Sequence, residues 1–368
     1  MIHLFADILG RSGGIETYLH ALATHLLAEH VPFRIVVSEN APCPLLAELE
    51  ALGVEVDRQP HVPGDRWHVR KRLLVWRLAR RLKADDWVFC VRQPLPEIYL
   101  PLVRAVHRRK AKIAASWMFA PRFLPPPPGR LGRKFNTAVA ETDRVISVAH
   151  CNVPEFREIY GYEGPVSVVR YHNLPILDAP LPLPPGPPWR IGFLGRVDIA
   201  QKNLDVILDA FELVTKRRSD VLLDIHGDGG DLERLQAMID EKLLSGFVTL
   251  HGGYDHRRDL ADIVAARHLF LYTSRWEGGP CFSLMELLQA GRFVITSPVG
   301  GIPDIYTGHE EAGVMVADQD VTAIADAIDA AISALQEGRI DAARIRARYE
   351  EEFTMAHAHA AWSEALRR

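Results

Sequence analysis

Short apolar runs and amphipathic stretches alternate along the whole chain. Runs such as Ile2–Ala6, Phe33–Val37 and Leu269–Tyr272 are typical of strands that a sheet buries on both faces. Between these runs, apolar residues recur at helical spacing, as in the stretch that ends near His30. The order strand, turn, helix, strand recurs throughout the chain. This order predicts doubly wound α/β domains with parallel sheets.

A proline-rich segment divides this pattern. Residues 174–189 contain seven prolines, and a segment so dense in proline cannot form a helix or a central strand. A chain of 368 residues also exceeds what one ordinary core accommodates. The sequence therefore predicts a first domain over residues 1–173, a linker over 174–189 and a second domain over 190–345. The apolar spacing of Asp341–Leu366 predicts one long helix, whose part over residues 346–368 is long enough to pack back on the first domain.

Composition places the chain among globular proteins. Hydrophobic residues make up 48% and charged residues 24% of the chain, and no run approaches the roughly 20 apolar residues of a membrane span. The beginning of the sequence lacks the basic leader and cleavage site of a secretion signal. The four cysteines are scattered without the spacing of metal ligands, which fits a reduced compartment. We therefore expect a cytoplasmic protein.

Positive charge is concentrated in one part of the first half. Residues 66–134 carry 18 Lys and Arg against three acidic residues, although the net charge of the chain is −4. The charge lies mainly in a predicted helix, Arg66–Lys83, and in a proline-containing segment, Leu124–Lys134. These segments would suit an anionic membrane surface, such as the cytoplasmic face of an inner membrane, or a lipid-linked or phosphorylated acceptor. The alternative is an ordinary packed helix with an arginine-rich outer face. No recognised module favours nucleic acid.

The stretch Tyr272–Ile305 carries the most specific pattern. A turn rich in Gly and Pro opens a predicted helix that begins at Phe282, and the amides of a helix N-terminus readily bind phosphate. Glu277 precedes this turn, and Glu286 lies within the helix. Carboxylates beside an anion site suit a ligand with both hydroxyls and phosphate, such as a nucleotide sugar. The alternative for Glu286 is a solvated surface glutamate.

Three segments together resemble retaining glycosyltransferases of the GT-B fold, in the large family four (glycosyl transferases group 1) that includes bacterial polysaccharide and lipopolysaccharide transferases. The stretch around Glu277 and Glu286 resembles the C-terminal signature of that family. The segment Gly195–Asn203 resembles its second signature, in which Gly-Arg precedes a Lys. The turn Ser12–Glu16 resembles its N-terminal glycine loop, although a Gly-Gly turn alone often serves only to permit positive φ. The resemblance implies two Rossmann-like, doubly wound parallel-sheet domains that face a central cleft. The first would bind the acceptor, and the second would bind the nucleotide sugar.

The resemblance also implies roles for individual residues. Arg196 and Lys202 would stabilise the leaving nucleoside diphosphate of a UDP- or GDP-sugar, in place of a metal ion and without a cofactor. Glu277 would contact the transferred sugar, and Glu286 would hold the ribose hydroxyls. Cys281 is not expected to act as a nucleophile, because no histidine partner is evident. The residues expected to line the donor site are Gly13, Gly14, Gly195, Gly279, Pro280, Cys281, Phe282, Ser283 and Glu286.

The sequence departs from the family pattern in two places. Eight residues separate Glu277 from Glu286 where the family has seven, and Ser116–Phe119 lacks the histidine that usually follows a strand there. Three rivals therefore stay open beside a metal-independent transferase that acts on a glycan or lipid-linked acceptor in cell-surface polysaccharide synthesis. They are a nucleotide-sugar 2-epimerase, a phosphorylase, and a nucleotide-sugar-binding subunit that has lost catalysis. Because phosphorylases usually have a much longer chain, that rival is the least favoured.

Overall fold

The chain folds into two compact α/β units. The computed structural model describes residues 1–10, 13–39, 42–60, 67–170, 177–317 and 319–366, and of Ile8, Glu39, Gln59, Pro60 and residues 67–70 it describes the backbone alone. The first unit comprises Met1–Arg170 with Ala358–Arg368, and the second comprises Tyr171–His357. Ser12, Arg66 and the linker residues up to 176 lie outside the described residues.

The first unit is a seven-stranded parallel sheet in the order β3-β2-β1-β4-β5-β6-β7. Its inner strands are apolar throughout because helices cover both faces, as in β4, where all four residues are buried. The strands are β1 (Ile2–Leu9), β2 (Phe33–Glu39), β3 (Val56–Pro60), β4 (Trp87–Cys90), β5 (Lys112–Trp117), β6 (Arg144–Ser147) and β7 (Val166–Val168). The helices are α1 (Gly14–Ala28), α2 (Pro44–Ala51), α3 (Trp67–Arg81), α4 (Pro96–Arg108), α5 (Gly129–Ala140) and α6 (Asn152–Tyr160).

The second unit repeats the plan with a six-stranded parallel sheet in the order β10-β9-β8-β11-β12-β13. The strands are β8 (Trp189–Leu194), β9 (Val221–His226), β10 (Val248–Gly252), β11 (Leu269–Tyr272), β12 (Phe293–Thr296) and β13 (Gly313–Met315). The helices that follow its first strand are α7 (Ile199–Lys202), α8 (Leu204–Arg217), α9 (Leu232–Glu241), α10 (His256–Ala265), α11 (Phe282–Gln289), α12 (Pro303–Tyr306), α13 (Val321–Gln336) and α14 (Ala342–Glu352). The predicted pair of doubly wound parallel-sheet domains is confirmed.

The strand order reverses at one point in each sheet. In the first unit β1 lies between β2 and β4, and in the second unit β8 lies between β9 and β11. The chain therefore leaves the central strand in opposite directions, and a crevice opens outside the carboxyl ends of the two strands at the reversal. We call this place the switch point of each sheet. In the second unit it lies between the ends of β8 and β11.

The predicted single helix over Asp341–Leu366 is wrong. Helix α14 ends at Glu352, and α15 (Met355–Leu366) begins after a break. The hydroxyl of Thr354 accepts a hydrogen bond from the amide of His357 at 3.3 Å, which caps the new helix. Within the first unit, the indole of Trp362 packs against the rings of Tyr18 and Phe89 at 5.4 and 5.0 Å between centroids. The last helix thus completes the core of the first unit.

Helix α6 is absent from the sequence-based expectation. Pro154 lies in its first turn, where a helix tolerates proline because the missing N–H would have no intrahelical partner. Gly161 ends it in the left-handed conformation, with φ 63°. Phe156 and Tyr160 bury the inner face against Trp117. The stop signal at Gly161 was readable, whereas the proline masked the helix before it.

The described part of the proline-rich segment, residues 177–189, is fixed to the second unit. The guanidinium of Arg292 donates to the carbonyl oxygens of Leu181 and Pro182, both at 2.7 Å. Arg292 is completely buried, and this burial lowers the pKa of its guanidinium to about 10. The amide of Leu181 also donates to the carbonyl of Ala290 at 3.0 Å. Backbone carbonyls thus fix a segment that cannot join a sheet.

Candidate functional site

The loops that follow β8 and β9 touch backbone to backbone. Gly195, directly after β8, has φ +150°, which residues with a side chain rarely adopt. A Cβ on Gly227 would lie 1.7 Å from the carbonyl oxygen of Gly195, so only glycine fits there. The amide of Val197 donates to the carbonyl of Asp228 at 2.9 Å. The end of β8 is therefore a rigid platform for the charged residues that follow it.

Lys202 and Glu277 form a buried ion pair near the switch point. The Lys202 ammonium lies 2.5 Å from Oε1 of Glu277 and 2.7 Å from the hydroxyl of Tyr272. The side chains of Lys202 and Glu277 are only 7% and 8% exposed. Helix α7 presents the lysine, and the carboxylate of Asp198 caps that helix by accepting from the amide of Gln201. The structure thus brings together two of the three residues expected to act in catalysis.

Arg196, the third of these residues, is exposed and is held indirectly. Its Nη2 donates to Oε1 of Gln201 at 2.8 Å. The amide group of Gln201 in turn donates to the carbonyl oxygen of Trp276 at 3.3 Å, next to Glu277. Arg196 is therefore connected through one glutamine to the loop that carries Glu277, and it does not itself contact Glu277 or Lys202.

A second arginine ties the two loops together. The backbone amide of Arg275 donates to the carbonyl of Gln201 at 2.9 Å. Its Nη2 lies 3.1 and 2.9 Å from the two carboxylate oxygens of Asp205 in α8. Arg275 also donates to the carbonyl of Ala200 at 3.1 Å. These contacts fix the loop after β8 relative to the loop after β11, and with it the distance from Lys202 to Glu277.

The glycine turn between β11 and α11 is packed inside the second unit. Gly279 and Pro280 are buried, and Phe282 and Ser283 are half-buried at the first turn of α11. The amide of Gly301 donates to the carbonyl of Gly278 at 2.9 Å, so the loop after β12 supports the turn. The turn between Glu277 and Glu286 is thus supported by its own unit.

Cys281 is the N-cap residue of α11. Burial and the neighbouring Glu277 carboxylate raise the pKa of its thiol to about 12. The group is therefore a neutral thiol near pH 7, which is a poor nucleophile. Its backbone position places the first amides of α11 at the carboxyl end of β11, where an anion would find an N-terminal helix dipole.

Glu286 lies in the second turn of α11 and is 4% exposed. One of its carboxylate oxygens forms a short hydrogen bond with Nε2 of His256, the first residue of α10. This hydrogen bond to Glu286 raises the pKa of the His256 imidazole. Burial and the nearby Glu286 carboxylate raise the pKa of the Tyr254 phenol as well. Glu286 is thus a buried acceptor at the end of β11, not a solvated surface glutamate.

Gly13 and Gly14 belong to the first unit. Gly13 is the N-cap of α1, Gly14 is its first residue, and both are exposed. Glu16 in the first turn accepts from the amide of Gly10 at 2.6 Å and is 7% exposed. The glycine loop therefore opens α1 at the carboxyl end of β1. Arg11 and Ser12 of this loop lie outside the described residues.

The missing histidine of the first unit is replaced by aromatic core. Trp117 ends β5 and is 2% exposed, with its ring 4.7 Å from that of Phe156 between centroids. Ser116 shares a hydrogen bond with the hydroxyl of Tyr18 at 3.1 Å. Phe119 is 41% exposed. The segment thus offers apolar surface where the family usually has an imidazole.

Sequence reasoning missed three polar residues of the second unit. These residues are Tyr272, which the sequence predicts only as the end of a buried strand, Gln201 and His256. Each of them contacts one of the charged residues expected to bind the donor. The signal available for His256 was its place in a polar loop after β10. No local pattern indicated the roles of Tyr272 and Gln201.

Across the described ranges of the chain, no group of three or more His, Cys, Asp or Glu side chains is arranged to hold a metal ion. In the same ranges no helix combines the length and apolar character needed to cross a bilayer.

Sequence comparison finds a match between the second unit and a family model. Residues 188–334 match the model of the family described as Glycosyl transferases group 1. The chain is 26% identical over 108 residues to the gpi3 subunit of the phosphatidylinositol N-acetylglucosaminyltransferase of Schizosaccharomyces pombe, which is 29% of this chain and 23% of that protein. It is 32% identical over 95 residues to the GtfA subunit of the UDP-N-acetylglucosamine–peptide N-acetylglucosaminyltransferase of Limosilactobacillus reuteri, covering 26% of this chain and 18% of that one. The match thus spans less than a quarter of each of these two relatives.

Structural similarity extends over the whole chain. The Anabaena protein HepE in complex with UDP has a TM-score of 0.77 at 17% identity, covering 100% of this chain and 99% of that one. The lipopolysaccharide outer core galactosyltransferase WaaB in its apo form has a TM-score of 0.76 at 17% identity, covering 99% and 98%. At these identities the similarity shows the fold. The GT-B architecture expected from the sequence is confirmed, and the second unit matches the model of a glycosyltransferase family.

Proposed function

We propose that the protein is a retaining glycosyltransferase that moves a sugar from a UDP- or GDP-sugar to a hydroxyl of a glycan or lipid-linked acceptor. The observation that carries this proposal is the buried Lys202–Glu277 pair at the carboxyl ends of β8 and β11, in a unit that matches a glycosyltransferase family. Cys281, the N-cap residue of α11, interacts electrostatically with both members of the pair. The exposed Arg196 is connected through Gln201 to the carbonyl oxygen of Trp276, next to Glu277. Cationic groups, helix amides and carboxylates together suit a sugar joined to a diphosphate.

Each group has a role that follows from its chemistry. Negative charge develops on the leaving diphosphate, so fixed cations at Lys202 and Arg196 stabilise the transition state more than the bound donor. The first amides of α11 would bind phosphate oxygens. Glu286 would accept hydrogen bonds from the ribose hydroxyls, and Glu277 would orient both Lys202 and the transferred sugar. The two cations supply positive charge without a divalent ion, so we propose metal-independent transfer in polysaccharide or lipopolysaccharide synthesis.

Binding and turnover of donors test this proposal. Purified protein is screened by thermal shift against UDP, GDP and ADP and against the corresponding sugar conjugates. One base is expected to raise the melting temperature, and its sugar conjugate is expected to be hydrolysed slowly to the nucleoside diphosphate. Chelation with EDTA should leave the hydrolysis rate unchanged, and Lys202→Met should abolish it. A protein that neither binds nor hydrolyses any donor would contradict the proposal.

The products separate the rival functions. Conversion of a nucleotide sugar into its epimer, without release of the diphosphate, would indicate a 2-epimerase. Tight binding without hydrolysis or transfer would indicate a binding subunit. Retention is tested by NMR of the anomeric configuration of the transferred sugar, and an inverted product would contradict that part of the proposal.

We also propose that the first unit attaches to an anionic membrane surface through α3. Leu73 and Trp76 are 47% and 54% exposed, and Arg72, Arg77 and Arg80 are exposed at helical spacing around them. The guanidinium of Arg80 lies 4.7 Å from the centre of the Trp76 ring. An apolar pair framed by arginines suits the boundary between lipid headgroups and acyl chains. The second basic segment likewise exposes Leu124, and Arg130, Arg133 and Lys134 are exposed beside it.

Vesicle sedimentation tests the membrane proposal. Wild-type protein should sediment with vesicles that contain phosphatidylglycerol and not with pure phosphatidylcholine. The variant R72Q/R77Q/R80Q should lose this binding. The matched control R234Q/R258Q/R344Q changes the net charge equally on the second unit and should sediment like wild type. Equal loss in both variants would reduce the effect to net charge, and unchanged sedimentation of the first variant would remove α3 as the attachment site.

A further inference from the structure

A tyrosine hydroxyl lies against the buried ion pair of the second unit. Tyr272 is the last residue of β11 and is 2% exposed. Its ring lies nearly parallel to that of Phe193, with 6.0 Å between centroids and 10° between planes. The Lys202 ammonium lies 2.7 Å from its hydroxyl and 4.7 Å from the centre of its ring. Neither the family match nor the resemblance assigns a role to this tyrosine.

The hydroxyl changes what the ammonium can do. An ammonium has three N–H donors, of which one meets Glu277 and one meets the phenolic oxygen of Tyr272. The third donor meets no acceptor among the described residues and remains for a ligand. Without a second acceptor, the ammonium would be drawn fully toward the carboxylate, since that contact gains most electrostatic energy in a buried place. The tyrosine balances this attraction and keeps one donor directed elsewhere.

A phenol suits this task because it accepts a hydrogen bond without adding a charge. Burial, together with the nearby Cys281 thiol and Glu277 carboxylate, raises the pKa of the Tyr272 hydroxyl well above its usual range. The hydroxyl is therefore neutral, and Lys202 keeps a single counter-charge. The ammonium then presents more net positive charge to an incoming diphosphate than it would between two anions. Fixed charge of this kind lowers the barrier without reorganisation during the reaction.

We infer that Tyr272 is a positioning residue, whose hydroxyl holds the Lys202 ammonium so that one of its N–H groups points to the diphosphate of the donor. This inference rests on the proposed function. Tyr272 acts through Lys202 and does not itself touch the reacting atoms. The consequence is that the hydroxyl affects diphosphate binding and turnover and leaves acceptor binding unaffected.

Tyr272→Phe tests the inference, with Tyr306→Phe as its matched control. Tyr306 is also 2% exposed in the second unit, but its hydroxyl has no hydrogen-bond partner within the described ranges. With the nucleoside diphosphate that stabilises the wild type in the screen of UDP, GDP and ADP, Y272F should raise the dissociation constant about 10-fold. Its kcat should fall by a similar factor, and the KM for the acceptor should stay unchanged. Y306F should stay within about twofold of wild type in all three quantities.

A double-mutant cycle separates positioning from a structural effect. In the background of Lys202→Met, the further change Y272F should not weaken diphosphate binding, because the group it positions is gone. An equal loss in both backgrounds would overturn the inference, as would wild-type binding by Y272F. If wild type binds none of the three diphosphates, the proposed function fails and this inference fails with it. If wild type binds a diphosphate and the losses of affinity caused by Y272F and K202M are additive, this inference fails and the proposed function stands.

A milder substitution covers the case in which Y272F does not fold. Incorporation of 3-fluorotyrosine at position 272 keeps the ring and the hydroxyl and weakens the oxygen as an acceptor. The dissociation constant should rise by about two- to threefold, in the same direction as for Y272F. An unchanged or lowered dissociation constant would overturn the inference.

Discussion

The switch points of the two units solve the same problem in different ways. In the second unit both members of the ion pair are buried, and Lys202 lies 2.5 Å from Glu277. In the first unit Asp7, at the end of β1, is buried, but its partner Arg92 is 24% exposed and its Nε lies 3.8 Å from Oδ1 of Asp7. The pair in the second unit is closed, and the pair in the first unit is open.

The hydrogen bonds of the Asp7 carboxylate are also incomplete among the described residues. Its Oδ2 accepts from the amide of Leu95 at 3.0 Å, whereas Oδ1 is buried without a hydrogen bond. Buried carbonyl and carboxylate oxygens of Gln93 and Glu97 share this condition within the described part of the chain. A buried acceptor without a donor costs about 1–3 kcal/mol. A ligand with several hydroxyls would remove this cost, whereas the closed pair of the second unit is already set before a ligand arrives.

Under the proposed function, this difference divides the work of a transferase between the two units. A nucleoside diphosphate has constant charge and shape, so a prearranged site serves it well. An acceptor varies in its hydroxyls, so a site with incomplete polar contacts can take its final form with the ligand. On this interpretation, changes at the closed pair affect stability and turnover together, and changes near Asp7 affect acceptor binding alone.

The largest expected effect is the loss of one member of the closed pair. Lys202→Met leaves the Glu277 carboxylate buried without a counter-charge, so we expect the free energy of unfolding to fall by about 3 kcal/mol. Turnover should fall by about 100-fold or more, because a cation beside the leaving diphosphate is lost. Chemical denaturation and donor hydrolysis measure the two quantities.

A second variant and a half-buried lysine serve as controls. K202M/E277Q should regain most of the stability and none of the activity, since it removes both charges. Lys242→Met, whose side chain is 23% exposed beside Asp209 and Glu212, should cost less than about 1 kcal/mol. Equal destabilisation by K202M and K242M would show that the buried pair has no special place in the fold.

Glycine substitutions compare the loops at the two switch points. Gly227→Ala would force a Cβ to 1.7 Å from the backbone carbonyl of Gly195, so we expect a loss of more than about 3 kcal/mol in unfolding free energy. Gly13→Ala meets only the flexible carboxylate of Glu16, at 2.9 Å, and should cost less than about 1 kcal/mol. Gly246→Ala, with open space around it, is the control. Similar losses for the first two variants would contradict the contrast between the loops.

Asp7→Asn is expected to act on the acceptor alone. The amide keeps an oxygen for Leu95 and removes the charge that faces Arg92. We expect the KM for the acceptor to rise about 5- to 10-fold, with no change in the dissociation constant of the nucleoside diphosphate. Asp57→Asn removes a carboxylate partner of Arg81 on the edge strand β3 of the same unit. It should change neither the KM for the acceptor nor the dissociation constant of the diphosphate. A weaker diphosphate affinity in D7N would contradict the proposed division of work.

The smallest effect concerns pH and the His256–Glu286 contact. The hydrogen bond to Glu286 raises the pKa of His256 in the folded protein. The protonated imidazole therefore contributes fully to the free energy of unfolding below the unfolded pKa near 6.5. That contribution disappears as pH rises through the folded pKa. Compared with His256→Gln, wild type should therefore be more stable at about pH 5.5, and the difference should shrink toward about pH 9.

The difference in unfolding free energy between wild type and His256→Gln stays below about 1 kcal/mol, because the His256 side chain is 36% exposed and solvent screens the pair. Arg257 and Asp255 also act on the imidazole and partly offset each other. Urea denaturation across this pH range gives the difference. A difference that grows with pH would show that the imidazole is not held as a cation by Glu286.

Local pattern predicted much of the fold and the types of residue near the site. The apolar runs at β8 and β11 and the glycine turns after them are signals within a few residues, and they marked where Lys202, Glu277 and Glu286 occur. The break between α14 and α15 escaped prediction, because helical spacing continues across Thr354 and only the cap shows the interruption. Helix α6 escaped because Pro154 lies in its first turn.

Periodicity and the conformational limits of Gly and Pro were enough to predict two parallel α/β domains and the proline-rich division between them. The same local signals marked the charged residues near the ends of the strands. Which of those residues contact one another depends on the tertiary fold. Lys202 lies 75 positions from Glu277 and 70 from Tyr272, and His256 lies 30 from Glu286. Such contacts form when separate βα loops converge at one edge of a sheet, and strand order, which no local pattern encodes, sets that convergence.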